Sequence, residues 1–171
     1  MKIGIIGSGI VGRVLATAFL KEGHQVMLGS RDTKKEEVVK WVAENAGGLC
    51  GNFSDTALFG EIIVLATKGT VVAEAVKLAN PERFKNKTVI DATNPIKEAP
   101  PVNGVLQFFT GPNESLMEKI QLLIPDAHVV KAFSCVGNAF MYKPDFDGVK
   151  PTMFICGNDD DEKKTVTDIL I

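Results

Sequence analysis

Lys2-Ile3-Gly4-Ile5-Ile6-Gly7-Ser8-Gly9-Ile10-Val11-Gly12 opens the chain, and the fold follows from how this stretch is read. A short β-branched apolar run ends in a G-x-G-x-x-G turn, and a helical pattern begins at once. Val11, Val14, Leu15, Ala18 and Phe19 recur at i, i+3, i+4, i+7 and i+8, the spacing of an apolar stripe on an amphipathic helix. Gly23 closes that helix, and Gln25-Val26-Met27-Leu28-Gly29 reads as a second strand. Strand, glycine turn, helix and strand at this spacing make a βαβ unit. Gly7 permits the tight turn, Gly9 lets the backbone approach a pyrophosphate, and Gly12 lets the helix pack on the strand. The amides of Ser8, Ile10 and Val11 then open the helix toward an anion, with the positive end of the helix dipole behind them.

The same rhythm continues. A polar helix through Val38, Val39 and Val42 stops at Gly47-Gly48, a C-terminal cap signal. A short strand lies near residues 49–53, and Ser54 caps a brief helical turn. Ile62-Ile63-Val64-Leu65-Ala66 is the third buried run, after which Thr70 caps a helix through Ala79 that ends at Asn80-Pro81. Lys87-Thr88-Val89-Ile90-Asp91 is a strand, and Ser115-Leu116-Met117-Glu118 has capping-box spacing for a helix ending before Pro125. His128-Val129-Val130-Lys131-Ala132-Phe133 and Thr152-Met153-Phe154-Ile155-Cys156 are the last strands. Asp159-Asp160-Asp161 then place acids in the first turn of a final helix.

Strands apolar on both faces, alternating with helices, predict an α/β fold. It forms one domain over residues 1–171, a doubly wound, mostly parallel sheet with helices on both faces. Val166, Ile169 and Leu170 form a last stripe that Ile171 cuts off without a cap, so either the chain is truncated there or the helix frays.

Composition agrees with one such domain. The 171 residues are 45% hydrophobic and 23% charged, with mean hydropathy +0.11, which excludes a disordered chain and supplies one core. The 19 Lys and Arg nearly balance 21 Asp and Glu, so a bulk electrostatic grip on nucleic acid or an anionic membrane is excluded. No run approaches the ~20 apolar residues that span a bilayer. Cys50, Cys135 and Cys156 are widely spaced and odd in number, against a disulfide framework or a zinc site and in keeping with a reducing cytoplasm.

Two segments break the rhythm: residues 93–112, with four prolines and two glycines, and residues 134–151. Both leave the carboxyl end of a strand, where open α/β sheets bind ligands. At the end of the second strand an NAD site needs a carboxylate for the ribose hydroxyls. The position falls on Ser30, and Arg31 follows. A hydroxyl and a guanidinium suit a phosphate dianion, which Arg grips with two parallel hydrogen bonds. Thr33, Lys34 and Lys35 add a donor and positive charge. Asp32, the one dissonant residue, faces solvent or buttresses Arg31. The chemistry selects NADP(H).

The groups placed to position a flat acceptor follow successive strands: Ala66-Thr67-Lys68, Thr93-Asn94-Pro95-Ile96, and Phe133-Ser134-Cys135-Val136-Gly137, with Ala132 just before the last. Phe108, Phe109, Phe140, Met141 and Tyr142 crowd the two long loops, as a wall for an aromatic ligand, a homodimer face, or ordinary packing. His24 sits in a turn at the opposite edge of the sheet, and His128 opens a strand at the wrong end. No Ser/His/Asp or Cys/His grouping and no metal-ligand spacing presents itself, so no metal is expected. Cys135 is a redox-active thiol or an inert small residue. Hydride transfer to a conjugated ring needs no protein base when solvent supplies the proton, so this pattern points to an oxidoreductase that positions its cofactor and a small-molecule acceptor.

Residues 7–12, Gly29-Ser30-Arg31, Thr93-Asn94-Pro95 and Val129-Val130-Lys131-Ala132-Phe133, in that order, resemble the F420-dependent NADP oxidoreductases. The cytosolic NADPH-binding domains of the STEAP ferric reductases share the arrangement. The resemblance covers essentially the whole chain. It implies a Rossmann domain whose Ser30 and Arg31 hold the 2′-phosphate, with later loops bringing nicotinamide against a deazaflavin (F420) or flavin ring. Ser134-Cys135 stands where members carry Asn-Thr, beside the nicotinamide, and members continue past the last helix with a further strand and helix. The competing readings are an NADP(H)-sensing regulatory module and a flavin- or ferric-reductase NADPH domain. A dehydrogenase of small 2-hydroxy or imino acids would need a helical second domain for which 171 residues leave no room.

Overall fold

In the computed structural model, which describes residues 1–170, six parallel strands form one sheet in the order β3-β2-β1-β4-β5-β6. They are β1 (Lys2–Ile6), β2 (Gln25–Gly29), β3 (Leu49–Gly51), β4 (Ile62–Leu65), β5 (Thr88–Asp91) and β6 (His128–Lys131). Six helices connect and cover them: α1 (Ile10–Lys21), α2 (Glu36–Glu44), α3 (Phe53–Phe59), α4 (Val72–Ala79), α5 (Leu116–Leu123) and α6 (Asp160–Leu170). Ile171, where the last stripe was expected to be cut off, lies outside the described residues. No described helix is long and apolar enough to cross a membrane.

The β-branched runs are apolar on both faces because two cores bury them. Ile3, Ile5, Val64, Ile90 and Val130 face one core, with Leu15 and Phe19 of α1 and Val166 of α6. Ile6, Ile63, Leu65, Val89 and Val129 face the other, under α3, α4 and α5. Strand order reverses between β1 and β4, and a crevice opens there at the carboxyl ends.

Two glycines fix how α1 meets that crevice. Gly7 has φ 125°, and a Cβ there would lie 2.6 Å from the Ala66 carbonyl oxygen. A Cβ on Gly12 would lie 1.8 Å from the Gly7 carbonyl oxygen, so the first turn of α1 rests on the strand-end turn backbone to backbone. On the far side, Asp91 at the end of β5 is fully buried and pairs in register with Lys131 at the end of β6. Lys131 Nζ donates to Asp91 Oδ2 at 2.8 Å and to the Thr93 carbonyl. Asp91 Oδ1 accepts from Thr93 N at 2.9 Å and Thr93 Oγ1 at 2.7 Å. A buried charge so fully satisfied fixes where the loop after β5 leaves the sheet.

Several local expectations are corrected. Residues 152–156 do not form a strand. Pro151 precedes a segment at the sheet edge that pairs with β6 only through Lys131 and Cys156, and Phe154 is exposed. Asn52, not Ser54, caps α3: its Oδ1 accepts from Asp55 N at 2.8 Å, and Phe53 is already buried in the first turn. Thr70 does not cap α4 because it lies inside a 3₁₀ turn, Gly69–Val71, and at Gly69 a side chain would meet the Asn94 carbonyl. The buried stripe of α1 is Gly12, Leu15, Ala16, Ala18 and Phe19, so Val11 and Val14 are only half-buried. The helix sits closer to the sheet on its glycine side than the apolar spacing suggests. On α2, Val38 is buried with Trp41, whose Nε1 donates to Thr17 Oγ1 at 2.9 Å, while Val39 is exposed.

Gly12→Ala is expected to lower the unfolding free energy by about 2 kcal/mol, the cost of forcing a methyl into filled space. Gly9→Ala, where a Cβ meets nothing within 4 Å, should stay within about 1 kcal/mol. Urea denaturation of the two variants beside wild type checks both.

Candidate functional site

The crevice at the β1/β4 switch point has a volume of about 800 Å³ and draws its walls from four strand ends. After β1 come Gly7, Ser8, Gly9, Ile10 and Val11. After β2 come Ser30 and Arg31, with Lys35 and Glu37 beyond. After β4 come Ala66, Thr67, Lys68 and Gly69, and after β5, Ala92, Asn94 and Ile96. The parallel register brings these together: Gly7 N donates to the Gly29 carbonyl at 3.1 Å, Ser30 N to Gly51 at 2.9 Å, and Ala66 N to Ile6 at 2.9 Å.

The head of α1 is the floor. Its N-cap is Gly9, which offers no side-chain acceptor, and its first turn contains no acid. Each of the other five α-helices carries at least one acid in its first turn, and Asn52 and Ser115 also cap α3 and α5. The first amides of α1 are therefore without a side-chain partner, in a crevice where Gly9 leaves open space above the backbone. A diphosphate is the group that such amides and dipole accept. Thr67 adds to the fit, because its Oγ1 is buried and has no hydrogen-bond partner. A buried hydroxyl facing no acceptor or donor is costly unless a ligand completes it.

At the β2 end, Arg31 is exposed and lines the crevice with Lys35, and neither makes an ion pair among the described residues. Ser30 is 2% exposed, and its hydroxyl donates to the Asp32 carbonyl at 2.8 Å while accepting from Ser8 Oγ at 3.0 Å. It ties the β1 and β2 turns together. Asp32 buttresses the turn backbone instead of Arg31, since its Oδ1 accepts from Lys34 N at 2.9 Å. Thr33 is half-buried and does not line the crevice. At the mouth, Lys68 Nζ lies 2.8 Å from Glu98 Oε1, and that hydrogen-bonded ammonium holds the Glu98 carboxyl below its ordinary range.

The remaining sequence candidates stand behind the wall or beside it. Gly12 lies beneath the turn. Ala132 and Phe133 are buried, and Phe133 takes φ 62°, the left-handed conformation that a non-glycine residue rarely adopts. That turn sets the Ser134 carbonyl where Asn94 Nδ2 donates to it at 3.0 Å, a bridge between the β5 and β6 loops, while the Pro95 carbonyl accepts from Phe109 N at 2.9 Å within its own loop. Of the loop aromatics, Phe108 is exposed, Phe109 packs on the α4–α5 core, and Phe140 stacks on Phe146 at 5.3 Å. Met141 packs on the α1 core, and Tyr142 Oη donates to Glu22 Oε1 at 2.7 Å, so none of the five lines the crevice. Cys135 is exposed beside Met153. Sequence reading missed Asp91 and Lys131 as a clamp. The signal was there, a carboxylate and an ammonium ending two neighbouring apolar strands.

Comparison with known proteins points to the same chemistry. The family model of coenzyme F420-dependent NADP oxidoreductases matches residues 2–95. The F420-dependent NADP reductase of Methanocaldococcus jannaschii is 28% identical over 178 aligned positions, covering 99% of this chain and 78% of that protein. The metalloreductase STEAP3 of Rattus norvegicus is 28% identical over 174 positions, covering 98% of this chain and 31% of that one. A candidate F420-dependent NADP reductase of Arthrobacter sp. FB24, known from its crystal structure, superposes with a TM-score of 0.91 at 29% identity, over 99% of this chain and 79% of its own. With the crevice, the uncapped helix head and the order of its motifs, the chain belongs to the coenzyme F420-dependent NADP oxidoreductase family.

Proposed function

We propose that the protein binds NADP(H) in the β1/β4 crevice and transfers a hydride between its nicotinamide and a flavin-like ring, F420 being the first acceptor to test. The observation that carries this reading is the head of α1, which has neither a capping side chain nor a first-turn acid and abuts the strand-end turn built from Gly7, Gly9 and Gly12. The amides of Ser8, Ile10 and Val11 hold the diphosphate, and Gly9 gives it room. Arg31 and Lys35 take the 2′-phosphate, with Ser30 and Thr33 shaping the turn that presents them. Ala66, Thr67 and Lys68 face the middle of the dinucleotide, where the Thr67 hydroxyl finds its partner. Asn94, Pro95, Ala132, Phe133 and Ser134 set the depth of the nicotinamide end.

When bound, the cofactor supplies a hydride that reduces the acceptor ring by two electrons, and solvent delivers the remaining proton. The protein's contribution is alignment: two rings held in contact gain effective concentration without an acid or base. That accounts for a crevice without His, Cys or a paired carboxylate at Asn94. Relatives whose names include F420 make it the leading acceptor, and FMN, FAD and riboflavin share its tricyclic shape.

Arg31→Ala is expected to weaken NADPH by about 2 kcal/mol, roughly thirtyfold, and to leave NADH almost unchanged. Calorimetric titration of both nucleotides into both proteins checks this, and equal losses would remove the 2′-phosphate contact. NADPH oxidation at 340 nm should proceed only when F420 or a flavin is added. Tight NADPH binding with no turnover by any of the four acceptors would instead assign the protein to NADP(H) sensing.

A further inference from the structure

One face of α4 looks into the β1/β4 crevice. Val71, Glu74, Ala75 and Leu78 all line it. Their spacing i, i+3, i+4 and i+7 is one helical stripe, which starts at the residue before α4. Three of the four are apolar, and Glu74 is the polar member. Phe53, at the start of α3, extends the same wall and packs in one core with Ala75. Its ring reaches the end of β2, where a Cβ on Gly29 would lie 3.2 Å from Phe53 Cδ1. The stripe therefore belongs to the end of the crevice that carries Arg31.

Glu74 is exposed and makes no ion pair among the described residues. An unpaired carboxylate is out of keeping with a crevice that attracts phosphate through Arg31, Lys35 and the head of α1, because it repels the same anion. Glu74 does lie in the first turn of α4, where the helix dipole favours an acid. An acid at position 73, exposed and outside the crevice, would serve the dipole as well. Glu37, the other acid near Arg31, follows Lys34 and Lys35 and has no apolar neighbour from α2 on the crevice wall.

In NADP(H) the base and the 2′-phosphate sit on adjacent carbons of one ribose. A base whose phosphate is held by Arg31 and Lys35 thus lies within reach of the α4 stripe. Adenine is flat, with apolar faces and an exocyclic amino donor on its edge, where a 6-oxopurine carries a carbonyl acceptor. We propose that Glu74 reads the base: its carboxylate accepts a hydrogen bond from the exocyclic amino group of adenine, while Val71, Ala75 and Leu78 take the ring face. The inference rests on NADP(H) occupying the crevice. The same carboxylate repels a carbonyl oxygen, so Glu74 selects adenine dinucleotides against 6-oxopurine ones.

Nicotinamide hypoxanthine dinucleotide phosphate keeps both phosphate groups and the nicotinamide of NADP⁺ and replaces the amino group by a carbonyl, which makes the two the probes. Each is titrated calorimetrically into wild type, Glu74→Gln and Glu36→Gln. Wild type should bind NADP⁺ about tenfold or more tightly than the hypoxanthine analogue. A glutamine amide donates as readily as it accepts, so Glu74→Gln should bring that ratio below about threefold. Glu36→Gln removes the same charge from an exposed position outside the crevice and should keep the wild-type ratio. Glu74 is exposed, so its variant is expected to fold, and a role confined to the helix dipole would lower its melting temperature without moving the ratio. Equal binding of the two dinucleotides by wild type, an unchanged ratio in Glu74→Gln, or its loss in Glu36→Gln would overturn the assignment and leave NADP(H) in the crevice. Binding of neither dinucleotide by wild type would defeat the NADP(H) reading and the assignment together.

Discussion

The contact between Gly12 and the Gly7 carbonyl governs how the rest of the molecule presents itself. With no side chain between them, α1 starts against the end of β1, and its first amides point into the crevice from a helix that nothing else caps. Any side chain at position 12 would lift the helix, and an acid in its first turn would occupy the amides. The chain instead places acids in the first turn of every other α-helix. The head of α1, with neither a capping side chain nor a first-turn acid, lies at the point where strand order reverses.

The sheet does the remaining placement. Parallel register puts four strand ends level, so residues from positions 7 to 99 line one cavity. The Asp91–Lys131 pair and the Asn94–Ser134 bridge lock the β5 and β6 loops to each other. Phe133, held at positive φ, is the strain that this arrangement tolerates.

Much of this was legible in the sequence because it rests on short-range rules. Glycine spacing and buried β-branched runs identify the parallel α/β fold and the strand-end turn that opens the crevice, from residues close in the chain. The errors fall where tertiary contact overrules local signals. Thr70 has the chemistry of a cap, but it lies inside the 3₁₀ turn Gly69–Val71, packed where Gly69 leaves no room for a side chain beside the Asn94 carbonyl. Residues 152–156 have strand composition, but only Cys156 finds a partner on β6. Val14 counts as core by spacing and lines a groove in the structure. The Asp91–Lys131 clamp joins residues forty positions apart, which no periodicity reveals.

The claim that α1 holds a diphosphate on its own amides is tested most directly by amide chemical shifts of the ¹⁵N-labelled protein. Titration with NADP⁺ should move the Gly9, Ile10, Val11 and Gly12 amides together with the Arg31 region. Adenosine 2′-monophosphate, which carries no 5′-phosphate, should move the Arg31 region alone. Saturation with NADP⁺ that leaves the residue 9–12 amides in place would contradict the account.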